Sequence, residues 1–478
     1  MKSVTSRRRF LRLSGAAGLY GLAGCAGFPA IVSRRNPNSM LSHACIGVGN
    51  MGRADLEGLM SHERIHITAL CDVDSTFLMD ALKLCPDARV YRNAHEMLEA
   101  EGDRIDSVNV STPDHSHAGY VLDALNRGKN VYGQKPLCTT IKDCRRVEAM
   151  AAKCGSVTQM GTQIAAWECD RQTSEFIRSG AIGEVQHVWI FSNRGGQSRA
   201  NHHWPLKPAP VPETLDWKTW LDAAPYRPFA PDVYHPGTWR MWRDFGTSWL
   251  GDLGLHLLSP VWLGMELGTS GPLAVTAKIP PESGAAVKQF WPRNSHITWE
   301  MPGVKASGGK PFAIEWCDGS IADRDARAKG IKDEDRGFSP TALRLNDLSV
   351  LASEDPEFYP PVLFKELYAK TPIGEQPLEG RVIEGTEGWL LSVHVGTPAV
   401  ILKKSGKVLK APEVGPAPTH WHEFINCCLE GGTPRSNFAW AGRMSEMVLI
   451  GNEAMSKPGV RIPWNCKTGT PVGEEWRA

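Results

Sequence analysis

The feature that most constrains the fold is a glycine run, Gly47-Val48-Gly49-Asn50-Met51-Gly52. It follows an apolar stretch, Ala44-Cys45-Ile46, and leads into a segment of helical period. Asp72 stands twenty residues after Gly52, at the end of the next apolar run. G-x-G-x-x-G alone is weak, because Gly is common. Placed between strand and helix, with the acid at that distance, it predicts a dinucleotide-binding turn. Gly47 permits the tight turn, Gly49 lets a pyrophosphate approach the backbone, and Gly52 lets helix and strand pack closely. The loop, with Asn50 and Met51, presents amide donors at a helix N-terminus. Asp72 is placed to accept hydrogen bonds from ribose hydroxyls. A 2′-phosphate would meet its charge, and no Arg follows in Asp72-Val73-Asp74-Ser75, so NAD is favoured over NADP.

Around this turn, strands are predicted at 43–48, 65–71, 106–111, 130–133 and 156–160, with amphipathic helices between them. In one helix Ala118, Val121, Leu122 and Leu125 share a face, and Gly128 falls where a C-terminal cap belongs. Thr140 opens the next with a capping pattern. This alternation predicts a parallel, doubly wound Rossmann sheet over 41–165. Beyond it, a helix at Glu168–Ser179 leads to strand-like runs at Val185–Phe191, Pro311–Cys317 and Arg381–Val393, with helices at 419–430 and 438–456. Strands in runs with flanking helices predict an α+β domain over 166–478. A Pro- and Trp-rich stretch, 196–245, reads as an excursion covering a site.

Two strand ends carry chemistry. Ser111-Thr112-Pro113-Asp114-His115-Ser116-His117 ends one strand and starts a helix, and Gly133-Gln134-Lys135-Pro136 ends the next. Carboxyl ends of such strands face the ligand crevice. A turn with capping residues explains Ser, Thr and Asp at the first end, but not two His two residues apart. No carboxylate-rich neighbour completes a metal site for that pair, and no Cys spacing suits zinc, so no metal is expected. Lys135 falls where a nicotinamide should lie, held extended by Pro136.

Together, Gly47–Gly52, Ser111–His117 and Gln134-Lys135-Pro136 resemble the glucose–fructose oxidoreductase / inositol dehydrogenase family (Gfo/Idh/MocA). The resemblance is strong over the first 160 residues and patchier afterwards. It implies a second domain with a large, open, mostly antiparallel sheet that forms the homo-oligomer contact, and final helices, 419–456, packing back on the Rossmann domain. It implies a sugar or polyol substrate and a cofactor set of Gly47, Gly49, Asn50, Met51, Gly52, Asp72, Ser111, Thr112, Pro113, His115, His117, Gln134 and Lys135. The family motif usually reads Glu-Lys-Pro; here Gln134 replaces the Glu. Gly251-Asp252-Leu253-Gly254-Leu255-His256 resembles the family's Asp-x-x-x-His pair, the two residues sharing one helix face. The catalytic set implied is therefore Lys135, Asp252 and His256. His256 takes a hydroxyl proton, Lys135 bonds the same oxygen, Asp252 orients His256 or bonds a neighbouring hydroxyl, and hydride passes to the nicotinamide. Gln163, Trp239, Trp242 and Arg243 are candidate substrate contacts, in a pocket wall that also draws on His202, His203, Trp204 and Tyr234.

The N-terminus reads as an address. Ser6-Arg7-Arg8-Arg9-Phe10-Leu11 is a twin-arginine pattern before a weakly apolar stretch, so residues 1–40 are expected to be a leader, with the mature protein in the periplasm or cell envelope. Leu22-Ala23-Gly24-Cys25 adds a lipoprotein-like box with a lipid anchor at Cys25. A formal charge of +1 gives no electrostatic case for nucleic acid. An exported chain meets no known pool of free NAD, so a tightly bound cofactor regenerated within each cycle is expected. Coupled reduction of a second substrate would achieve this. So would glycoside cleavage by oxidation, elimination and reduction. A non-catalytic cofactor-binding protein is the third alternative.

Overall fold

The computed structural model describes residues 39–192, 206–279, 289–292, 294–318, 358 and 360–472. The twin-arginine pattern, Cys25, and His202, His203 and Trp204 lie outside the described residues.

The first layer is a six-stranded parallel sheet in the order β3-β2-β1-β4-β5-β6. Its strands are β1 (Leu41–Ile46), β2 (Ile65–Cys71), β3 (Arg89–Tyr91), β4 (Ser107–Val110), β5 (Asn130–Gly133) and β6 (Thr158–Met160). Helices α1 (Met51–Met60), α2 (Ser75–Leu82), α3 (Ala94–Glu101), α4 (Asp114–Asn126) and α5 (Ile141–Cys154) connect them. β1, β4 and β5 are buried almost throughout, as a parallel sheet covered on both faces requires. The order reverses between β1 and β4, and this switch point opens the ligand crevice. Thr140 caps α5 by accepting from the Asp143 amide, and Gly128 takes a left-handed conformation past α4.

After α6 (Glu168–Arg178) the chain enters a ten-stranded sheet through β7 (Val185–Ser192). An excursion, 206–249, carries the short helix α7 (Trp217–Leu221), and a π-helical turn (Leu250–Gly254) then leads into α8 (Leu255–Gly264). The remaining strands are β8 (Ala274–Lys278), β9 (His296–Met301), β10 (Phe312–Asp318), β11 (Glu379–Gly385), β12 (Gly388–Val393), β13 (Ala399–Leu402), β14 (Val408–Leu409), β15 (Ile462–Asn465) and β16 (Thr470–Pro471). Helix α9 (Leu363–Ala369) precedes β11. The order is β14-β13-β12-β11-β7-β10-β9-β8-β15-β16, antiparallel except where β10 pairs with β7. The expected single run at Arg381–Val393 is two strands, turning at Thr386-Glu387.

One face of this sheet, with Val188, Ile190, Ile314, Trp316, Ile297 and Trp299, joins α8 and the Rossmann residues in one continuous core. The last helices close the two layers together. In α10 (His420–Glu430), Trp421 donates to Asp55 of α1. In α11 (Phe438–Ala454), Arg443 and Glu446 pair with Glu148 and Arg145 of α5. No helix of the described residues is long and apolar enough to cross a membrane.

Candidate active site

The crevice at the switch point is partly open to solvent and has a cavity volume of about 230 Å³. At one end lies the glycine turn. Gly47 has φ +81°, and a side chain there would strike the Ser111 carbonyl. A side chain on Gly52 would meet the Gly47 carbonyl at 2.2 Å, so Gly52 lies beneath the turn rather than in the crevice wall. Gly49, Asn50 and Met51 line the crevice, and the Phe77 ring lies against Gly49 where a Cβ would sit.

Asp72 lines the same end; its carboxylate accepts from the amides of Val48 and Asp74, each at 2.9 Å. Burial pushes its carboxyl up, against these two amides. The fold also brings Arg92 here, which the local sequence after Asp72 does not reveal. Its guanidinium is engaged by the carbonyls of Val73 and Thr214.

The excursion straps this end. Asp216 donates its amide to Val73, Ser75 donates to Thr214, and Asn50 Nδ2 donates to the Pro236 carbonyl. His235 Nε2 sits 2.9 Å from Asp74 Oδ2. Behind the strap, Trp217, Trp220, Tyr234, Trp242 and Phe245 form its own aromatic core.

At the other end, β5 delivers Lys135 and the π-turn delivers Asp252. Lys135 Nζ donates to the Asp252 backbone carbonyl and to Oδ1, both at 2.5 Å. Arg240 Nε lies 3.2 Å from the same Oδ1. Burial works to raise the Asp252 carboxyl, but these two cations hold it well below the usual carboxylate range. His256, at the start of α8, is 9% exposed and lines the same end. Burial, then the Lys135 charge, lowers its pKa well below the ordinary imidazole value, so it stands neutral. Its Nδ1 has no hydrogen-bond partner among the described residues.

The expected orientation of His256 by Asp252 is therefore replaced. The carboxylate faces two cations, which attract it more strongly than a neutral ring does. A π-turn also widens the helix beneath Asp252, so the four-residue spacing no longer stacks as in an α-helix.

Ser111, Thr112, Pro113, Gln134, Gln163 and Trp239 also line the crevice. Besides Gly52 and Tyr234, four of the expected contacts do not. His115 is buried against Trp220, with Nε2 3.0 Å from its carbonyl, and His117 sits between the carbonyls of Pro136 and Thr112. Both rings pin the crevice floor from behind, and burial lowers the pKa of each, His115 to about 4. Trp242 is 1% exposed inside the strap's core, donating to Val233. Arg243 donates to the Phe290 carbonyl and stacks on Trp291. Over 239–243 the chain forms a 3-10 turn and then an extended residue, which aims Arg240 into the crevice and Arg243 away.

Two acids were missed. Asp55 is fully buried on the sheet-facing side of α1, in register with Gly52, Leu56 and Leu59. Its carboxylate accepts from Gln134 Nε2 and Ser111 Oγ, each at 2.7 Å, and from Trp421 Nε1 at 2.9 Å; Gln163 Nε2 stands at 3.5 Å. Burial pushes its carboxyl up against these donors. Gln134 is thus the donor that a buried acid needs, where Glu would set two carboxylates face to face. An acid at an otherwise apolar helix-face position was the available signal.

Asp114, read as a cap, caps nothing: it begins α4 and accepts instead from Thr247 Oγ1 at 2.8 Å. It lines the crevice, and burial, partly opposed by the Lys135 charge, pushes it up to about 7.

A glycine turn, an acid beyond the next strand and a lysine–carboxylate–imidazole end in one crevice define an α/β protein with a dinucleotide-binding Rossmann domain. Residues 41–162 match the family model described as "Oxidoreductase family, NAD-binding Rossmann fold", and 171–300 match its companion, "Oxidoreductase family, C-terminal alpha/beta domain". These stretches cover more than half of the chain, which belongs to the Gfo/Idh/MocA family.

Inositol 2-dehydrogenase from Burkholderia multivorans is 32% identical over 141 residues, 29% of this chain and 41% of the relative. The chain aligns with about two fifths of the length of such curated relatives. Among solved structures, levoglucosan dehydrogenase in complex with NADH and levoglucosan superposes with a TM-score of 0.56 at 13% identity, covering 89% of this chain and 99% of that one. Aldose-aldose oxidoreductase from Caulobacter crescentus, complexed with glycerol, gives 0.55 at 14%, covering 89% and 100%. At these identities the likeness is one of fold.

Proposed function

We propose that this protein oxidises a hydroxyl of a sugar, glycoside or polyol, with NAD held in the crevice as the hydride acceptor. The observation that carries the reading is the meeting of Lys135 and neutral His256 in the crevice whose other end is the glycine turn and Asp72. The turn's amides hold the phosphates, and Asp72 accepts from the ribose. When bound, NAD supplies the two-electron acceptor. His256, kept neutral by burial and by Lys135, accepts the substrate hydroxyl proton. Lys135 donates to the same oxygen and offsets its developing charge. Asp252, ionised between Lys135 and Arg240, fixes the ammonium in place. Named relatives and neighbours that act on inositol and levoglucosan support a polyhydroxylated substrate.

We further propose an exported protein with a retained cofactor. The Arg7-Arg8-Arg9 pattern supports export, and the strap from the excursion to Val73, Asp74 and Ser75 supports retention. A retained cofactor requires a second half-reaction that returns the hydride. Coupled reduction of a second carbonyl is one form of it; glycoside cleavage by oxidation, elimination and reduction is the other, and there Asp114, a crevice carboxyl that burial pushes up, would protonate the leaving group.

The test is to denature the purified protein, identify the released nucleotide by mass spectrometry, and assay the folded protein on free sugars and glycosides. NAD release with sugar oxidation coupled to a second carbonyl supports the oxidoreductase. Aglycone release without net NADH supports the cleavage form. Retained NAD with no turnover on any of them would refute both.

A further inference from the structure

Away from the crevice, the wide sheet gathers a second set of chemistry-bearing side chains. His187 on β7, Glu315 and Cys317 on β10, and His296 on β9 lie on three adjacent strands. Their registers place them together: His187 is opposite Ala313, and His296 is opposite Cys317, so His187, Glu315, Cys317 and His296 all project from one face. It is the face opposite Ile314 and Trp316, which are buried in the main core with α8. The sheet itself therefore separates this cluster from the crevice.

Glu315 stands at its centre. Oε1 lies 2.9 Å from His187 Nε2, and Oε2 lies 2.9 Å from His296 Nε2. Donor atoms of His296, Glu315 and Cys317 all lie within 4.8 Å of one another. The His187 ring is stacked on Trp189, with centroids 3.8 Å apart and planes 4° apart, which holds its orientation. His296 Nδ1 is buried without a hydrogen-bond partner among the described residues, a nitrogen left for a ligand. Cys317 is 1% exposed.

We propose that His296, Glu315 and Cys317 form a binding site for a zinc-class divalent cation on β9 and β10, with His187 of β7 holding the Glu315 carboxylate from outside. An imidazole, a carboxylate and a thiolate are donor types that zinc takes, with water filling the fourth position, and a thiolate beside an imidazole selects against magnesium and calcium. Loading breaks the Cys317 S–H bond, forms a sulfur–metal bond and releases the proton to solvent. The proton that His296 Nε2 shares with Glu315 Oε2 also leaves to solvent as both groups turn to the cation. No redox partner is needed. Sequence spacing could not reveal the site, because its donors are 296, 315 and 317, which only the strand registers bring together.

The test uses the full-length protein, stripped with a chelator and titrated with cobalt(II), then zinc. We expect one cobalt per chain, an intense thiolate-to-metal absorption in the near ultraviolet, and displacement by zinc. Cys317→Ser should lose that band, and Glu315→Gln should weaken binding about tenfold or more. Cys466→Ser should leave the band unchanged. Circular dichroism and NAD retention establish that each variant is folded. Because Cys317 is buried, zinc's shift of the thermal midpoint, present in the parent and lost in Glu315→Gln, gives a second readout. Failure of the parent to bind cobalt at micromolar concentrations, or an undiminished band in folded Cys317→Ser, would overturn the proposal.

Discussion

The two ends of the crevice are built by different physics. The cofactor end is made of backbone: a positive-φ turn, helix-terminal amides and one acid, all between Gly47 and Asp72. The substrate end is made of side chains from β5, the strap, the π-turn and α8, held by one carboxylate between two cations. Backbone sites are written in short, local motifs. Side-chain sites depend on packing and on which charge wins a contested partner. The cofactor end should therefore tolerate changes that abolish chemistry at the other end.

The largest effects expected from this contrast are at His256 and Lys135. Lys135→Met should lower kcat by about 10²–10³ while NAD stays bound, since one aimed donor is lost from a dry site. His256→Ala should cost about 10²–10⁴ in the same assay. Loss of bound NAD in either variant would break the separation of the two ends.

Gln134→Glu tests the seam between them. It sets a second buried carboxylate against Asp55, which already accepts from Gln134 at 2.7 Å. The expected loss is about 3–5 kcal/mol of stability, read by denaturant unfolding. Adding Asp55→Asn should return a large part of it, because the repulsion needs both acids.

Acid should loosen both ends at once. Burial holds the His43 and His115 pKa values at about 4 and His420 at about 3, and lowers those of His117 and His256. Below about pH 6.5 the unfolded chain takes up protons that these rings refuse in the fold. Stability should therefore fall as pH drops from about 6.5 toward 4, by up to about 1.4 kcal/mol per pH unit for each ring fully involved. A flat stability profile over that window would contradict their neutral burial.

The smallest effect is at the strap. His235→Ala removes one contact to Asp74, worth about 1 kcal/mol, and should speed NAD release roughly fivefold without changing kcat.

How legible each region was follows the same division. Strands β1, β2, β4 and β5 lie within two residues of their predicted bounds, because buried parallel strands are unbroken apolar runs. β3, Arg89–Tyr91, is three residues long with a mostly exposed pattern, and carried no such signal. The glycine turn and Asp72 could be read directly. Lys135 and His256 came from motif resemblance, and only the fold shows that Asp252 serves the lysine rather than the imidazole. Trp242 and Arg243 were misplaced because an irregular excursion has no period from which to tell its inner face. Arg240, three residues before Arg243, took the role instead. Asp55 had no catalytic motif, yet its place among Gly52, Leu56 and Leu59 marks it as an acid in a core.

The most direct test of the central claim is the near-ultraviolet absorbance of enzyme-bound nicotinamide after a sugar or polyol is added to the NAD-loaded protein. The account predicts rapid reduction of the bound cofactor in the parent, and none on the same timescale in Lys135→Met, with equal NAD content in both. Reduction at the parent rate in Lys135→Met would place the chemistry elsewhere and contradict it.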